Sequence, residues 1–226
     1  MDLSDKGSAI ELQDIRFAWE SETVLNIDHF AVSRGERLFL GGPSGSGKSS
    51  MLSLLSGVET PQTGEVHILG TDLAKTQGAA RDLFRADHIG YIFQLFNLVP
   101  YLSVIDNVTL PLRFSKRRAS RVDDSKQEAE RLLVHLGLGD FIQRRVLDLS
   151  VGQQQRVAAA RALIGGPEIL LADEPTSALD RGHSEKFIEL LFSECEAKNM
   201  TVVFVSHDTQ LAQQFDRKLI LGGEQS

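Results

Sequence analysis

Hydrophobic and polar residues alternate along the first part of the chain, as is typical of strands that are buried on one face only. A short apolar run that ends in glycines is followed directly by SSMLSLLSGV (49–58), whose apolar positions suit a buried helix. The pattern therefore predicts a strand, a Gly-rich loop and a helix in succession. The predicted strands of this part are AIELQDIRFAW (9–19), VLNIDHFAV (24–32), ERLFLGG (36–42), GEVHILG (64–70) and HIGYIFQ (88–94).

The pattern becomes helical from about Leu95 to Leu147. Ala129, Leu132 and Leu136 recur at helical spacing and predict an apolar helix face. The polar stretch FSKRRASRVDD (114–124) before them predicts an exposed connection. The remaining predictions are a helix that starts near Gly152, strands in EILLADEP (168–175) and TVVFVSH (201–207), and a helix in SEKFIELLFSECEAK (184–198). Because both of these strands are unbroken apolar runs, the chain predicts an α/β core with a parallel sheet and a helical insert.

The chain of 226 residues carries a net charge of -7, which argues against nucleic acid as its main partner because broad phosphate binding needs a basic excess. A small phosphate ligand needs only a local site and stays open. The single cysteine, Cys195, excludes an intrachain disulfide. The first residues lack the basic and apolar pattern of a secretory leader, and no apolar run reaches about 18 residues. We therefore expect any membrane role to be that of a peripheral subunit.

The stretch GPSGSGKS, Gly42 to Ser49, matches the pattern G-x-x-x-x-G-K-[ST] between a predicted strand and a predicted helix. Such a loop needs glycines because its backbone N–H groups wrap phosphates, where side chains would block the approach. Lys48 is expected to bring a positive charge to the β- and γ-phosphates of a nucleotide, and Ser49 a hydroxyl to Mg²⁺. The alternative, a Gly/Ser-rich turn without a ligand, is disfavoured by the strand and helix around it.

Two acids, Asp173 and Glu174, stand at the end of the buried strand in EILLADEP. The carboxyl ends of parallel strands face the ligand crevice. Neighbouring acids repel each other there unless a cation or a proton transfer separates them. Asp173 is expected to hold Mg²⁺ through water, and Glu174 to polarise an attacking water. The alternative is an acidic loop after a core strand.

Three further residues close predicted strands. His207 ends TVVFVSH and is a candidate donor to a γ-phosphate, although a lone histidine is more often structural. Gln94 ends HIGYIFQ, where its amide is placed to reach a metal ion or a water. Trp19 ends the first alternating strand and is a candidate for stacking on a purine, the alternative being an ordinary half-buried strand aromatic.

The order of these motifs resembles that of the nucleotide-binding subunit of an ABC transporter. The chain contains, in this order, GPSGSGKS, Gln94, LSVGQ (149–153), ILLADEP (169–175), SALD (177–180) and His207. The resemblance extends from about Ile10 to Leu221, and six signals in one order make it specific. It implies a P-loop NTPase core with a mainly parallel sheet, an N-terminal antiparallel β part and an inserted α-helical subdomain.

The resemblance also implies a single ABC ATPase domain over 1–226. We expect 1–94 and 148–226 to form a RecA-like core with the antiparallel β part, and 95–147 to form the helical subdomain. The implied function is to bind and hydrolyse ATP with Mg²⁺. ATP-driven dimerisation would then power a membrane transporter of the export or lipid/lipoprotein extraction type.

The family's roles carry over to the matching residues of this chain. Glu174 is implied as the catalytic base and His207 as the γ-phosphate sensor, with Lys48 and Gln94 also in the catalytic set. Trp19 stands where the family usually has an adenine-stacking tyrosine. The implied nucleotide-binding set is Trp19, Gly42, Pro43, Ser44, Gly45, Ser46, Gly47, Lys48, Ser49, Ser50, Ser150, Gly152, Gln153 and Asp180, and the implied Mg²⁺ set is Ser49, Gln94 and Asp173.

The segment LSVGQ implies a second copy of the chain as a partner. In the family, the P-loop of one subunit and this turn of another enclose one ATP. Ser150, Gly152 and Gln153 are therefore expected to face the γ-phosphate of the partner's nucleotide, with the positive end of the following helix directed there. Val151 departs from the family, which usually has a second glycine at this position.

The resemblance further implies an integral-membrane permease as a partner, and a peripheral position on the cytoplasmic face of the inner (plasma) membrane. Residues 89–112 are similar to the lipoprotein-release, macrolide-export and cell-division branch of the family. Part of this stretch is expected to form a groove for a short permease helix, the alternative being the core of the helical insert. The residues concerned are Phe96, Leu98, Val99, Tyr101 and Leu102.

Other functions fit parts of the pattern. A force-transmitting ATPase of a cell-division-like complex, which moves no substrate, shares every motif and stays open as the alternative. A DNA-repair or translation ATPase is disfavoured because the chain has no long coiled coil, no cysteine cluster for zinc, no basic excess and only one cassette. A simple P-loop kinase is disfavoured because it needs neither LSVGQ nor SALD, which this chain contains.

Overall fold

The computed structural model of the chain describes residues 7–20 and 22–222. The chain divides into two compact units, one from residues 1–85 and 201–226 and the other from residues 86–200. The predicted helical subdomain, 95–147, does not coincide with either unit and stays a prediction. Within the described residues, no helix combines the length and the hydropathy needed to cross a membrane. The first residues of the chain, to which the expectation about a leader applies, lie partly outside the described ranges.

The strands and helices follow the predicted order. The strands are β1 (Ser8–Trp19), β2 (Glu22–Ser33), β3 (Arg37–Gly41), β4 (Thr63–Ile68), β5 (Thr71–Asp72), β6 (Ile89–Ile92), β7 (Ile169–Asp173), β8 (Thr201–Val205) and β9 (Arg217–Ile220). The helices are α1 (Lys48–Leu55), α2 (Gly78–His88), α3 (Val104–Thr109), α4 (Lys116–Ala119), α5 (Ser125–His135), α6 (Val151–Leu163) and α7 (Arg181–Ala197). The elements predicted individually are confirmed, whereas α2, α3, α4, β5 and β9 have no counterpart among them.

The first unit contains an antiparallel sheet and a set of parallel strands. In the antiparallel sheet, of strand order β2-β1-β4-β5, Leu12 of β1 pairs with Phe30 of β2 and Val66 of β4. These three side chains are buried and the next residue, Gln13, is exposed, which is the alternation seen in the sequence. Among the parallel strands, β3 lies between β8 and β9. All residues of β8 are buried, as its unbroken apolar run predicts.

The second unit combines a pair of parallel strands with helices. Strand β6 pairs with β7, and Ile92 lies opposite Ala172. Helix α5 begins after its N-cap, Asp124, whose carboxylate accepts hydrogen bonds from two backbone N–H groups. The predicted apolar face of α5, with Ala129 and Leu132, is fully buried. The apolar spacing of the sequence therefore determines which face of α5 packs inward.

The polar stretch 114–124 is largely exposed, as its composition predicts, but it is more than a connection. It contains α4, and both Ser115 and Arg118 are buried. The Arg118 guanidinium donates hydrogen bonds of 2.8 Å to the carbonyl oxygens of Ala162 and Ile164. These carbonyls lie at the C-terminal end of α6, where a helix leaves its last carbonyls without internal partners. Burial lowers the pKa of Arg118 to about 10, so the group stays cationic at neutral pH.

Strand β6 and helix α6 approach each other closely at Gly90. A Cβ atom at this position would collide with the carbonyl oxygen of Ala162, and the neighbouring atom is backbone that cannot rotate away. The absence of a side chain at Gly90 is therefore what allows α6 to pack on β6.

We expect Gly90→Ala to lower the free energy of unfolding by about 1–3 kcal/mol, because the added methyl group forces α6 away from β6. The matched control is Gly182→Ala on α7, where an added Cβ meets nothing closer than 3.8 Å. Replacing this helical glycine is expected to be neutral or to stabilise by about 0.5 kcal/mol. Urea unfolding curves measure both changes. Equal stability of the two variants would contradict the close approach.

Candidate functional site

A Gly-rich loop joins the end of β3 to the start of α1. Gly42, Gly45 and Gly47 have φ angles of 147°, 80° and 89°, which residues with side chains rarely adopt. Gly47 is also the N-cap of α1, and it offers no side-chain acceptor to the first N–H groups of the helix. These N–H groups are therefore available to a ligand, which is how helix N-termini bind anions.

Lys48 carries a buried positive charge within this loop. Its Nζ donates hydrogen bonds to the carbonyl oxygens of Gly42 (3.0 Å) and Pro43 (2.7 Å), and the residue is only 6% exposed. None of the ion pairs among residues 7–20 and 22–222 includes Lys48. A buried ammonium group is unfavourable unless negative charge compensates it. The loop is thus suited to receive an anion.

Trp19 ends β1 beside the same helix. Its indole Nε1 donates a hydrogen bond to Oγ of Ser50 (3.1 Å), and its ring meets that of Phe17 edge-on at 5.2 Å between centroids. The residue is 49% exposed. The structure therefore places an aromatic surface, open for stacking, next to the start of α1.

His207 stands at the strand edge from which the loop begins. Leu40 of β3 pairs with Val205 of β8, so that Gly42 and His207 each follow two residues after a paired position. The Ser206 N–H donates to the carbonyl oxygen of Leu40 at 3.3 Å, which continues the pairing. His207 is exposed. The predicted phosphate loop and the predicted phosphate sensor thus share one edge of the first unit.

In the second unit, Gln94 and Glu174 come together where β6 and β7 end. Ile92 pairs with Ala172, and two residues later Nε2 of Gln94 donates to Oε2 of Glu174 at 3.5 Å. Glu174 has a φ of 46°, a left-handed conformation that is uncommon for a residue with a side chain. Backbone strain of this kind is frequent at functional sites, and the role of Glu174 as a base stays a prediction.

Asp173 ends β7 immediately before Glu174. Burial raises the pKa of Tyr91 on β6, and the Asp173 carboxylate raises it further. The Tyr91 ring stacks on Phe93 at 4.2 Å between centroids. The Asp173 carboxylate therefore lies close enough to Tyr91 to affect its pKa, at the same strand edge that carries Gln94 and Glu174.

The turn LSVGQ begins α6 with a reciprocal cap. Oγ of Ser150 accepts a hydrogen bond from the Gln153 N–H (3.4 Å), and Oε1 of Gln153 accepts one from the Ser150 N–H (2.8 Å). A Cβ atom added at Gly152 would lie 3.0 Å from a methyl carbon of Leu179. Val151 is 52% exposed. Two side chains expected to face a partner's nucleotide thus also stabilise their own helix, which the sequence argument did not anticipate.

Asp180 of SALD is the N-cap of α7. Its Oδ1 accepts a hydrogen bond from the His183 N–H (3.1 Å), and its Oδ2 lies 2.6 Å from Nδ1 of His183. These hydrogen bonds lower the pKa of Asp180. The structure thus gives Asp180 a capping role, and its nucleotide-binding role stays a prediction.

The predicted site residues form groups within each unit. Those in the first unit are Trp19, Gly42, Pro43, Ser44, Gly45, Ser46, Gly47, Lys48, Ser49, Ser50 and His207, and those in the second are Gln94, Ser150, Gly152, Gln153, Asp173, Glu174 and Asp180. Sequence reasoning missed Arg161, which donates hydrogen bonds to the turn after Gln94. The available signal was a lone charge in the stretch VAAARAL (157–163).

Sequence comparison relates the chain to proteins of one family. The family model described as ABC transporter matches residues 25–177. The uncharacterized ABC transporter ATP-binding protein YbbA of Escherichia coli (strain K12) is 42% identical over 88% of this chain and 86% of its own. The lipoprotein-releasing system ATP-binding protein LolD of Porphyromonas gingivalis (strain ATCC BAA-308 / W83) is 37% identical over 93% of this chain and 94% of its own.

A solved structure shares the fold. The ATP-binding cassette MJ0796, described as a dimer in a post-hydrolysis state bound to ADP and Pi, matches with a TM-score of 0.85 and 36% identity over 94% of each chain. The predicted fold class and the resemblance drawn from the motifs are thereby confirmed. The chain belongs to the ABC transporter family, as an ATP-binding subunit that hydrolyses ATP.

Proposed function

We propose that the loop at 42–50 binds ATP and that Glu174 is the base that activates water. The observation that carries the proposal is the buried ammonium of Lys48, which carbonyl oxygens hold beside a helix N-terminus without a side-chain cap. The β- and γ-phosphates of ATP compensate this charge. Trp19, fixed by its hydrogen bond to Ser50, stacks on the adenine.

The reaction is an in-line attack of water on the γ-phosphoryl group. Glu174 accepts a proton from the water as the new O–P bond forms, and the bond to the bridging oxygen breaks so that ADP leaves with the electron pair. Lys48 and the N–H groups of the loop stabilise the charge on the phosphoryl oxygens, and His207 donates a hydrogen bond to the γ-phosphate. Gln94, in contact with Glu174, orients the base and the water.

The residues proposed for Mg²⁺ fit this ion by their chemistry. Ser49, Gln94 and Asp173 offer a hydroxyl, an amide and a carboxylate oxygen, the hard donors that Mg²⁺ prefers. Asp173 is the one of these three residues whose side chain can carry a negative charge. When bound, Mg²⁺ neutralises charge on the β- and γ-phosphate oxygens.

We further propose a homodimer in which a second copy completes each nucleotide site. Ser150, Gly152 and Gln153 of that copy face the γ-phosphate, followed by Asp180. The N-terminus of α6, with its exposed Val151, supports this role because it presents the positive end of a 13-residue helix. The dimeric state of MJ0796 supports it independently. ATP binding then closes the dimer, and hydrolysis opens it.

A membrane partner is proposed to dock on the surface that follows Gln94. Leu95 and Tyr101 are 83% and 81% exposed, while Phe96 and Leu98 are half-buried. Large exposed apolar patches are typical of protein contact surfaces, and this short segment supplies several apolar side chains. We propose that a short helix of an integral-membrane permease binds here. The chain is then a peripheral subunit on the cytoplasmic face of the membrane.

Transport of the export or lipid/lipoprotein extraction type is the process that we propose the chain powers. The support is its similarity to LolD, which is by name the ATP-binding protein of a lipoprotein-releasing system. The alternative of force transmission without transport has no comparable support. Since the permease contacts the transported molecule, the partner determines what is moved.

Lys48→Ala is expected to weaken ATP binding about 10- to 100-fold, because hydrogen bonds to charged groups contribute about 1.5–3 kcal/mol. Trp19 is the single tryptophan of the chain, so its fluorescence reports ATP binding directly. The matched control is Lys75→Ala, which removes an exposed lysine of the same unit and is expected to bind ATP like the wild type. Identical titration curves for the two variants would contradict the assignment of the loop.

Glu174→Gln is expected to bind ATP normally and to lose at least about 100-fold in kcat, because general-base catalysis contributes about 10²–10⁴-fold. The variant should accumulate as an ATP-bound dimer, which light scattering detects. The control is Glu185→Gln, on the exposed face of α7, with turnover like the wild type. Wild-type turnover of Glu174→Gln would show that another group takes the proton.

Tyr101→Glu is expected to leave the fold and the basal ATPase rate intact and to abolish association with the membrane partner, because the charge must be desolvated on docking. Co-purification from solubilised membranes and the ATPase rate of the same preparation measure the two effects. Phe114→Glu, at a residue that is 67% exposed elsewhere on the second unit, is the matched control. Unfolding of Tyr101→Glu, or equal association of both variants, would refute the docking surface.

A further inference from the structure

Arg161 of helix α6 contacts the turn at 93–97, which contains Gln94. Nη1 of Arg161 donates a hydrogen bond to the carbonyl oxygen of Asn97, and Nη2 donates one to the carbonyl oxygen of Phe96, both at 2.6 Å. We propose that Arg161 is a positioning residue for ATP hydrolysis, which orients Gln94 by holding the turn at 93–97. This inference rests on the catalytic roles proposed above for Gln94 and Glu174.

The backbone of the turn at 93–97 adopts uncommon angles. The Phe96 N–H donates to the carbonyl oxygen of Phe93 (3.0 Å), so that Gln94 is the second residue of a four-residue turn. Phe96 and Asn97 follow with φ angles of 59° and 50°, two successive left-handed residues. Asparagine tolerates this conformation, whereas a bulky residue such as phenylalanine is unfavourable in it. The hydrogen bonds from Arg161 fall on the carbonyl groups of these two residues.

An arginine is chemically suited to this contact. Its planar guanidinium presents two N–H groups in a fixed parallel geometry, which matches two neighbouring carbonyl oxygens, whereas the ammonium group of lysine is a flexible point charge. Burial lowers the pKa of Arg161, and no ion pair in the described part of the chain includes it. Its charge is therefore compensated by the carbonyl oxygens of the turn, and the two groups stabilise each other.

The turn connects Arg161 to the proposed catalytic pair. Gln94, inside the turn, places its amide 3.5 Å from the carboxylate of Glu174. The backbone angles of the turn determine the direction of the Gln94 side chain. Helix α6 begins directly after Ser150 and carries Arg161 in its last turn. A displacement of the LSVGQ turn along this helix is thus passed to Gln94 through two hydrogen bonds.

The test measures the purified chain bearing Arg161→Met and Arg161→Lys. We expect Arg161→Met to lower kcat at least about tenfold while KM for ATP changes less than about twofold, because the nucleotide-binding loop is untouched. Arg161→Lys should retain an intermediate kcat. It is the variant that tests the proposal if Arg161→Met does not fold. Hydrogen exchange should increase at 93–97. An unchanged kcat with folded protein would overturn the proposal.

Rescue separates positioning from general stabilisation. In Phe96→Gly the left-handed turn becomes favourable without help. Adding Phe96→Gly to Arg161→Met should therefore bring kcat to within about threefold of Phe96→Gly alone. The matched control is Arg118→Met, which removes another buried arginine from carbonyl groups of α6. It should lower Tm and leave kcat of the folded protein within about twofold of the wild type.

Two results would refute the positioning role. One is the absence of any rescue by Phe96→Gly, and the other is a loss of kcat in Arg118→Met as large as that in Arg161→Met. Failure of the proposed catalytic function is seen separately, as turnover by Glu174→Gln in a chain whose Arg161 is intact. A refuted role of Arg161 leaves Glu174→Gln inactive, so the two failures are distinguishable.

Discussion

In-register pairing of parallel strands determines where the chemical groups of this protein stand. Leu40 pairs with Val205 and Ile92 pairs with Ala172. The residues at and just beyond these pairs are the predicted site residues: the Gly-rich loop, His207, Gln94, Asp173 at the end of β7, and Glu174 after it. Because paired parallel strands end at the same edge, residues that are distant in sequence become neighbours within each unit.

Helix α6 is the element on which the second unit depends. A reciprocal cap starts it at Ser150, Arg118 satisfies carbonyl groups at its end, and Gly90 allows it to pack closely on β6. Arg161 then ties it to the turn after Gln94. The helix is therefore fixed at both ends and on one side, so the LSVGQ turn and the Gln94 turn belong to one connected arrangement of hydrogen bonds.

Elements with long periodic patterns were predictable, because burial of one face requires an apolar residue at each period. Helix α5 and strand β1 are of this kind, whereas β8 was predictable from its unbroken apolar run. The burial of Arg118 within the largely exposed stretch 114–124 was not predictable, because no apolar period signals it. The composition of the stretch shows that it is polar. It does not show that Arg118 is buried and donates hydrogen bonds to carbonyl oxygens at the end of α6. The partner of a buried charge comes from a different part of the chain.

The sequence by itself determined the family, the fold class and the identity of the candidate chemical groups, because glycines, a lysine and acids after strands are local requirements of phosphate chemistry. Only the tertiary structure decided how those groups are held. It assigned Ser150 and Gln153 to a cap, left Tyr101 exposed, and joined Arg161 to a strained turn 64 residues away in sequence. Such pairings depend on packing geometry, which no local pattern encodes.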